Sequence, residues 1–352
     1  MAYKETHNKF TDWWMRVVIW REHHVKEKTF VLILALFVGI AGGFAAQLLK
    51  FLIHLIATWL TSHFSTTNAN YLYLVYPVVG ILLTVLFVKY VVKDNISHGV
   101  TKVLYAISRN KSRLKRKNMY ASLVASSITI GFGGSVGAEG PIVYTGAAIG
   151  SNVGQAFRLS PKVLMLLVGC GAAAGIAGIF RAPIAGMLFT LEVLMIDLTG
   201  VTVMPLLLSS IAGATVAYVL EGYNAEFFFT QSEAFMTNKI PYTIILGVIC
   251  GMISYYFTKV MFMMESMFRK IKQQGWRIVV GGTLIAGMVF LFPPLYGEGY
   301  GTINNLLDGN VSAVMNGTVF YVDRDNVWFI TLFIAAITLM KAFATSATNG
   351  AG

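Results

Sequence analysis

The chain has 352 residues, of which 56% are hydrophobic and only 12% charged; a soluble domain carries about a quarter charged residues, so composition excludes an ordinary globular protein. Long apolar runs recur from Phe30 to the C-terminus, which makes the chain a polytopic α-helical membrane protein and not a β-barrel, whose strands need alternating segments of about ten residues. The formal net charge of +11 would suggest nucleic acid on a soluble chain, but the bases cluster at segment ends, where the positive-inside rule accounts for them and no nucleic-acid partner is implied.

Residues 8–21 place Phe10, Trp13, Trp14, Val17 and Val18 on one helical face, with Lys9, Arg16 and Arg21 elsewhere. This reads as an amphipathic helix at the cytoplasmic interface of the bilayer. The N-terminus is polar and charged as far as Lys28, so no cleavable signal peptide is read. Apolar segments follow at about 29–60, 71–93, 119–130, 141–157, 163–178, 183–197, 202–220, 240–268, 277–295 and 327–344. Spanning takes about 20 residues. The first segment is long enough to cross at a steep tilt, whereas several middle ones are too short to cross alone and read as half-helices meeting inside the membrane. Cys170 and Cys250 both lie in apolar runs and read as small core residues. His54, also in an apolar run, reads as a core or interface residue.

Residues 109–117 carry six positive charges and no negative one, and the N-terminal flank and Arg269-Lys270-Ile271-Lys272 are also basic. All three are placed in the cytoplasm, with the N-terminus. Residues 61–72 lack Lys and Arg, and residues 221–235 carry Glu221, Glu226 and Glu233 with no base, so both belong on the other side. A weak repeat is visible. Segments 29–60, 71–93 and 119–130 with the glycine run 131–134 form one series; segments 240–268, 277–295 and 327–344 with Asn349-Gly350-Ala351-Gly352 form another. The two start on opposite sides, so the repeat is inverted. The expected organisation is an interfacial helix over 1–28, a first transmembrane repeat over 29–232, and a second, inverted repeat over 233–352 that stops before its counterpart of the 139 segment, as a fragment would.

The most informative stretch is Gly131-Phe-Gly-Gly-Ser-Val-Gly-Ala-Glu-Gly-Pro-Ile142. Irregular backbone at membrane depth is tolerated only where protein buries it or where it lines a wet cavity, and an ionisable residue there marks a functional site. Pro141 suits the first turn of a helix running from Ile142. The free N–H groups and positive dipole end of that helix form an anion site that needs no cationic side chain, and the glycines let backbone approach an ion. Glu139, ionised, can take the anion's place; protonated or displaced, it can leave. The segment lacks Gly-Lys-Ser/Thr and the dinucleotide fingerprint, so it binds no nucleotide. Small residues packing helices together are the bland alternative, which a glutamate in their midst disfavours.

A second marker is Gly178-Ile-Phe-Arg-Ala-Pro-Ile-Ala-Gly186, leading to Phe189-Thr-Leu-Glu192. Pro183 marks another helix start. Phe180 flanks the break, and Arg181 there either neutralises anions in a vestibule or snorkels to an interface. Glu192 should face protein or water. Lys341 lines a wet cavity or snorkels, with the cavity favoured. Gly297-Glu298-Gly299 reads as an extramembrane turn, with no role for Glu298. No grouping of residues calls for a metal or a cofactor.

Gly-Ala-Glu-Gly-Pro at 137–141 together with Phe-Arg-Ala-Pro-Ile-Ala-Gly at 180–186 resembles the CLC family of chloride channels and chloride/proton antiporters, and spacing agrees over most of the chain. The resemblance implies an all-α fold of tilted and broken helices in an inverted repeat, here with the second repeat incomplete. It also implies a homodimer in the lipid bilayer, with one chloride pathway per subunit and protons as a second possible cargo. Glu139 matches the gating glutamate, and Gly137, Ala138, Gly140 and Ile142 match the outer anion-binding backbone. Ala138 stands where the family often has Lys or Arg. Ser97-His98-Gly99-Val100-Thr101 aligns with the family's Gly-Ser-Gly-Ile-Pro, so His98 replaces the anion-holding serine. Its imidazole can donate to an anion or turn aside while backbone binds, and Ser97 substitutes if the register slips by one. Val193 matches the antiporters' inner proton glutamate and carries no proton, which favours channel-like passage. Pro141 sets the chain apart from the family's fluoride exporters. An intramembrane enzyme, needing paired carboxylates such as Glu139 and Glu192, and a non-conducting scaffold are the competing classes.

Overall fold

The computed structural model describes residue 21 and residues 23–62, 64, 69–94, 99–197, 199–222, 226–227, 236–321 and 326–351. The interfacial helix expected over 8–21 lies almost wholly outside them, as does much of the loops at 61–72 and 221–235. Among the described residues the chain is all helix, with no strand. The helices are α1 (Glu27–Thr61), α2 (Tyr76–Phe87), α3 (Gly99–Arg109), α4 (Asn118–Gly131), α5 (Glu139–Ala156), α6 (Pro161–Phe180), α7 (Pro183–Val193), α8 (Gly200–Glu221), α9 (Ile240–Lys270), α10 (Gln274–Leu291), α11 (Tyr300–Leu307) and α12 (Val327–Ala351), with short 3₁₀ and π turns between. Seven helical stretches among these residues are long and apolar enough to cross a membrane.

Proline sets many of the starts. Pro77, Pro141, Pro161, Pro183 and Pro241 all stand in first turns, where the missing N–H has no intrahelical acceptor to lose. Thr199 starts α8 through a capping box with Thr202, whose hydroxyl accepts from the Thr199 N–H at 3.0 Å.

All ten expected apolar segments are helical, with several corrections. α3 and α11 are additional; α3 is amphipathic and α11 has only eight residues, so neither shows as an apolar run. α6 reaches 20 residues, long enough to span, because Pro161 and Lys162 start it ahead of residue 163 and Ile179 and Phe180 continue it past Gly178. α7 stops at Val193, short of 197. α5 begins at Glu139, three residues ahead of Ile142. Asn349 and Gly350 continue α12 instead of breaking it. Cys170 is buried, but Cys250 is exposed and is no core residue. His54 is exposed, with Thr58 Oγ1 3.3 Å from its Nδ1, so it is not a core residue either.

The described chain forms two compact units. One comprises Met1–Gln47, His98–Tyr120 and Ile142–Tyr223. Its centre is α6, buried along nearly its whole length from Leu164 to Ile179. Lipid offers apolar helices no hydrophobic reason to leave it, so close backbone approach through small residues must supply the cohesion. Here a Cβ on Gly146 of α5 or on Gly171 of α6 would fall on the other's carbonyl, and Gly150 meets Leu167 in the same way. Gly42 of α1 faces Ala174, and Gly213 of α8 meets the Ala174 backbone from another side. Gln47 Nε2 donates to the Gly178 carbonyl at 2.9 Å. The basic loop at 109–117 is tied to the far end of α5: Ser151 Oγ donates to the Ser112 carbonyl at 2.7 Å and accepts from the Leu114 N–H at 2.9 Å.

The other unit comprises Leu48–Ser97, Ala121–Pro141 and Asn224–Gly352. Its core joins α2, α9, α10 and α12 through Ile81, Val85, Val260, Phe268, Ile285, Val289 and Ala347. Gly281 of α10 packs on Ala351, and the Phe268 ring lies against Gly350. Residues 240–255, the first half of α9, are exposed throughout, and their side chains are those of a lipid-facing helix.

Candidate functional site

The stretch between α4 and α5, residues 132–138, lies within the second unit and is fixed almost residue by residue. Gly133 has φ of +96°, a left-handed conformation that glycine takes without steric cost. The Tyr296 ring covers it, with Cε2 only 2.6 Å from where a Cβ would stand. The Tyr296 hydroxyl donates to the Gly131 carbonyl at 2.6 Å, and burial pushes this phenol well above the ordinary tyrosine range, so it remains a donor. The Gly134 N–H donates to the Thr129 carbonyl at 2.8 Å, and the Ser135 N–H donates to Thr348 Oγ1 at 3.1 Å.

Lys341 completes the clamp. Its Nζ donates to Ser135 Oγ at 2.9 Å, to the Gly297 carbonyl at 3.1 Å and to the Glu298 carbonyl at 3.3 Å. An ammonium has three protons to give, and all three have acceptors. Lys341 and Thr348 are seven residues apart on α12, hence on one face, and that face grips both the glycine segment and the 297–299 turn. Lys341 is therefore a structural bridge; it neither snorkels nor stands free in a cavity.

Glu139 is the first residue of α5, and Pro141 the third. A Cβ on Gly137 would land on the Glu139 carboxyl group, so this side chain folds back over the backbone ahead of its own helix. Its Oε1 accepts from the Tyr300 hydroxyl at 2.7 Å, and Phe227 stands edge-on to the Tyr300 ring at 5.5 Å between centroids. Burial and the neighbouring Glu139 push the Tyr300 phenol far above its ordinary range, so it keeps its proton and donates it. Among the described residues the N–H groups of Gly137 and Ala138 form no hydrogen bond, and those of residues 139, 140 and 142 have no partner in the helix they start. A carboxylate is thus seated beside a run of free donors at the positive end of an 18-residue helix.

Tyr300→Phe keeps the ring on Phe227 and removes the hydroxyl. A hydrogen bond to a charged group contributes about 1.5–3 kcal/mol, so Glu139 should be released roughly 10- to 150-fold more often. The check is a structure of the variant, in which the carboxyl leaves Gly137; an unmoved Glu139 refutes the hold.

The remaining expected residues are distributed as follows. Gly137, Ala138, Glu139, Gly140 and Ile142 adjoin along the chain, with Ala138 and Ile142 fully buried. Gly99 and Val100 open α3, while Ser97 and His98 lie outside the described residues. Phe180 closes α6. Arg181 takes φ of +53° and is paired with Glu221 at 2.5 Å, and its carbonyl accepts from the Tyr218 hydroxyl at 2.6 Å. It is committed to α8 and is neither a vestibule cation nor a snorkelling residue. Glu192 is exposed and Val193 half-buried, so protein does not enclose Glu192. Tyr296, Tyr300, Ser135 and Thr348 went unread in the sequence, and Glu298 was given no role. One signal was present: Gly297-Glu298-Gly299 repeats the pattern of Glu139, a carboxylate close to glycines.

The profile of the family described as "Voltage gated chloride channel" matches residues 80–352. The chain is 29% identical over 240 residues to the voltage-gated ClC-type chloride channel ClcB of Escherichia coli, covering 66% of this chain and 52% of that one. The chain thus spans about half the length of this curated relative. Among solved structures, a slow cyanobacterial Cl⁻/H⁺ antiporter superposes with a TM-score of 0.72 at 20% identity, over 93% of this chain and 75% of the other. A CLC-type fluoride/proton antiporter superposes with 0.68 at 25% identity, over 90% and 76%. The fold is that of these transporters.

Proposed function

The chain belongs to the voltage gated chloride channel family, and from that premise we propose that it carries chloride across the membrane along a pathway gated by Glu139. The observation that carries this reading is the Glu139 carboxyl folded over Gly137, beside N–H donors that form no hydrogen bond among the described residues. An anion arriving there finds unpaired donors and the positive end of α5, and meets a tethered carboxylate already in place. Protonation, or displacement by the anion itself, removes the competitor. Gly137, Ala138, Gly140 and Ile142 supply backbone to the ion, and the resemblance to the family adds Gly99 and Val100, with His98 or Ser97, to its anion-binding residues.

Passage is channel-like and uncoupled in this reading. Val193, at the position that in the family's antiporters carries the inner proton acceptor, offers no titratable group. The antiporters among the similar structures make coupling the specific alternative, and proton uptake driven by a chloride gradient would establish it. The chain is a multi-pass membrane protein; we place it in the inner membrane as a homodimer, with the N-terminus and the 109–117 loop cytoplasmic. An intramembrane enzyme is disfavoured because Glu139 bonds a tyrosine instead of a second carboxylate or a nucleophile, and Glu192 is exposed. The three-part division at residues 28 and 232 goes with the inverted-repeat reading.

The test is chloride efflux from liposomes containing the full-length protein. Efflux well above that of protein-free liposomes is expected. None at any pH between 5 and 9 (~ two units either side of neutrality, spanning the imidazole range and that of a carboxyl raised by burial) overturns the reading.

A further inference from the structure

We propose that Glu298 is a second proton-binding residue beside the gate, and that its proton sets the charge felt by Glu139. The inference rests on the reading of Glu139 as the gate, and it starts from a buried atom. Glu298 Oε1 is enclosed by protein and has no hydrogen-bond partner among the described residues. A carboxylate oxygen left so is costly when charged. Lys341 does not relieve it, because that ammonium spends its protons on Ser135 Oγ and on the carbonyls of Gly297 and Glu298. The Glu298 side chain is thus left out of the network that its own backbone anchors.

The charges around it give a second, independent reason. Those that act on Glu298 are Glu139 at the start of α5, Lys50 on α1, Glu226 in the stretch after α8, and Lys341 on α12. Lys50 and Glu226 neutralise each other in an ion pair at 2.7 Å. Two carboxylates, Glu139 and Glu298, remain for the one ammonium of Lys341. Counted over the described residues, the fully ionised cluster carries one uncompensated negative charge, and with one proton bound it is neutral. The Glu139 carboxyl has donors, the Tyr300 hydroxyl at 2.7 Å and the N–H groups at the head of α5 beside it, whereas Glu298 Oε1 has none among the described residues. The proton therefore resides on Glu298. Consistent with this, burial, reinforced by the Glu139 charge, pushes the Glu298 carboxyl up to about 7.

The sign follows. Below about pH 7 Glu298 is protonated, the cluster is neutral, and Glu139 keeps the full attraction of Lys341. Above it Glu298 loses its proton to solvent and adds a negative charge next to Glu139, which weakens the seat of the gate and repels an incoming anion. Glu298→Gln keeps position 298 uncharged at every pH.

Two measurements on the full-length protein separate this proposal from the transport reading. In pH-difference infrared spectra of the detergent-solubilised protein, the C=O stretch of a protonated carboxyl should disappear between pH 6 and 8 (about one unit either side of the Glu298 value). It should be absent in Glu298→Gln, and in Glu139→Gln, where the repelling charge is gone, it should persist with its midpoint moved to lower pH. In liposomes, wild-type chloride flux should change over that interval, whereas Glu298→Gln should stay within about twofold of the wild-type low-pH rate throughout. Should the glutamine variant fail to fold, Glu298→Asp keeps the carboxyl and must keep the infrared band with a moved midpoint. A band that titrates unchanged in Glu298→Gln, or one insensitive to Glu298→Asp, overturns the proposal. So do wild-type and Glu298→Gln flux profiles that superimpose. A protein that shows the band but conducts no chloride refutes the transport reading and leaves the proton site standing.

Discussion

Glu139→Gln should conduct chloride at a rate that no longer depends on the protonation of residue 139, and faster than wild type at neutral pH. Glutamine is nearly isosteric and still accepts from Tyr300, but the bond becomes a neutral one. The loss of charge assistance is about 1–2 kcal/mol of the 1.5–3 kcal/mol that such bonds contribute. The charge at the head of α5 is worth about another 0.3–1 kcal/mol. Seating of the side chain is therefore weakened by roughly 1.5–3 kcal/mol, or about 10- to 150-fold in the ratio of seated to released, since about 1.4 kcal/mol is a factor of ten. Flux should rise until the next step limits it. The measurement is initial efflux from liposomes at several pH values for both proteins. A variant with wild-type rate and wild-type pH profile removes Glu139 from the gate.

Lys341→Met has the larger structural effect. Methionine matches the length of the lysine stem and its packing, but the three acceptors Ser135 Oγ, Gly297 O and Glu298 O lose their donor together. The cluster also loses its one cation not already paired with a carboxylate. Removing one partner from a buried charge arrangement costs about 3–5 kcal/mol, so the variant should show a clearly lowered unfolding transition in detergent and a reduced folded yield. The charge count makes a sharper statement. Above about pH 7, where Glu298 is ionised, Lys341→Met with Glu298→Gln removes one charge of each sign, so the pair should be less destabilised than the sum of the two single changes, by on the order of 1 kcal/mol or more. Simple additivity refutes the electrostatic link between them. An unshifted transition in Lys341→Met refutes the clamp itself.

How far the sequence could be read depended on the range of the interaction. The apolar segments and the proline starts follow from local rules, and the helices lie where those rules put them. α3 and α11 escaped because amphipathic or very short helices leave no apolar run. Glu139 was legible for a local reason too: a carboxylate among glycines, two residues ahead of a proline, describes a helix start at membrane depth. Its partners were not. Tyr300 is 161 positions away, and nothing in Gly-Glu-Gly-Tyr says which carboxylate the phenol will meet. Lys341 drew two readings, cavity or interface, because a sequence shows a charge in an apolar run but not the carbonyls turned toward it. Arg181 likewise looked free until Glu221, 40 residues on, closed on it.

The separations that hid these partners also order events during biosynthesis. The glycine segment and Glu139 leave the ribosome early, but Tyr300 comes 161 residues after Glu139, and Lys341 and Thr348 come 206 and 213 after Ser135. At roughly 5–20 residues per second, α5 waits about 8–30 s for its tyrosine and longer for the clamp. Throughout that interval the nascent chain carries an unheld carboxylate and unpaired backbone at the depth of the bilayer. The Glu139 site is therefore among the last parts of this chain to be assembled, and a ribosome stalled between Glu139 and Tyr300 yields a first half whose acidic side chain lacks its tyrosine donor.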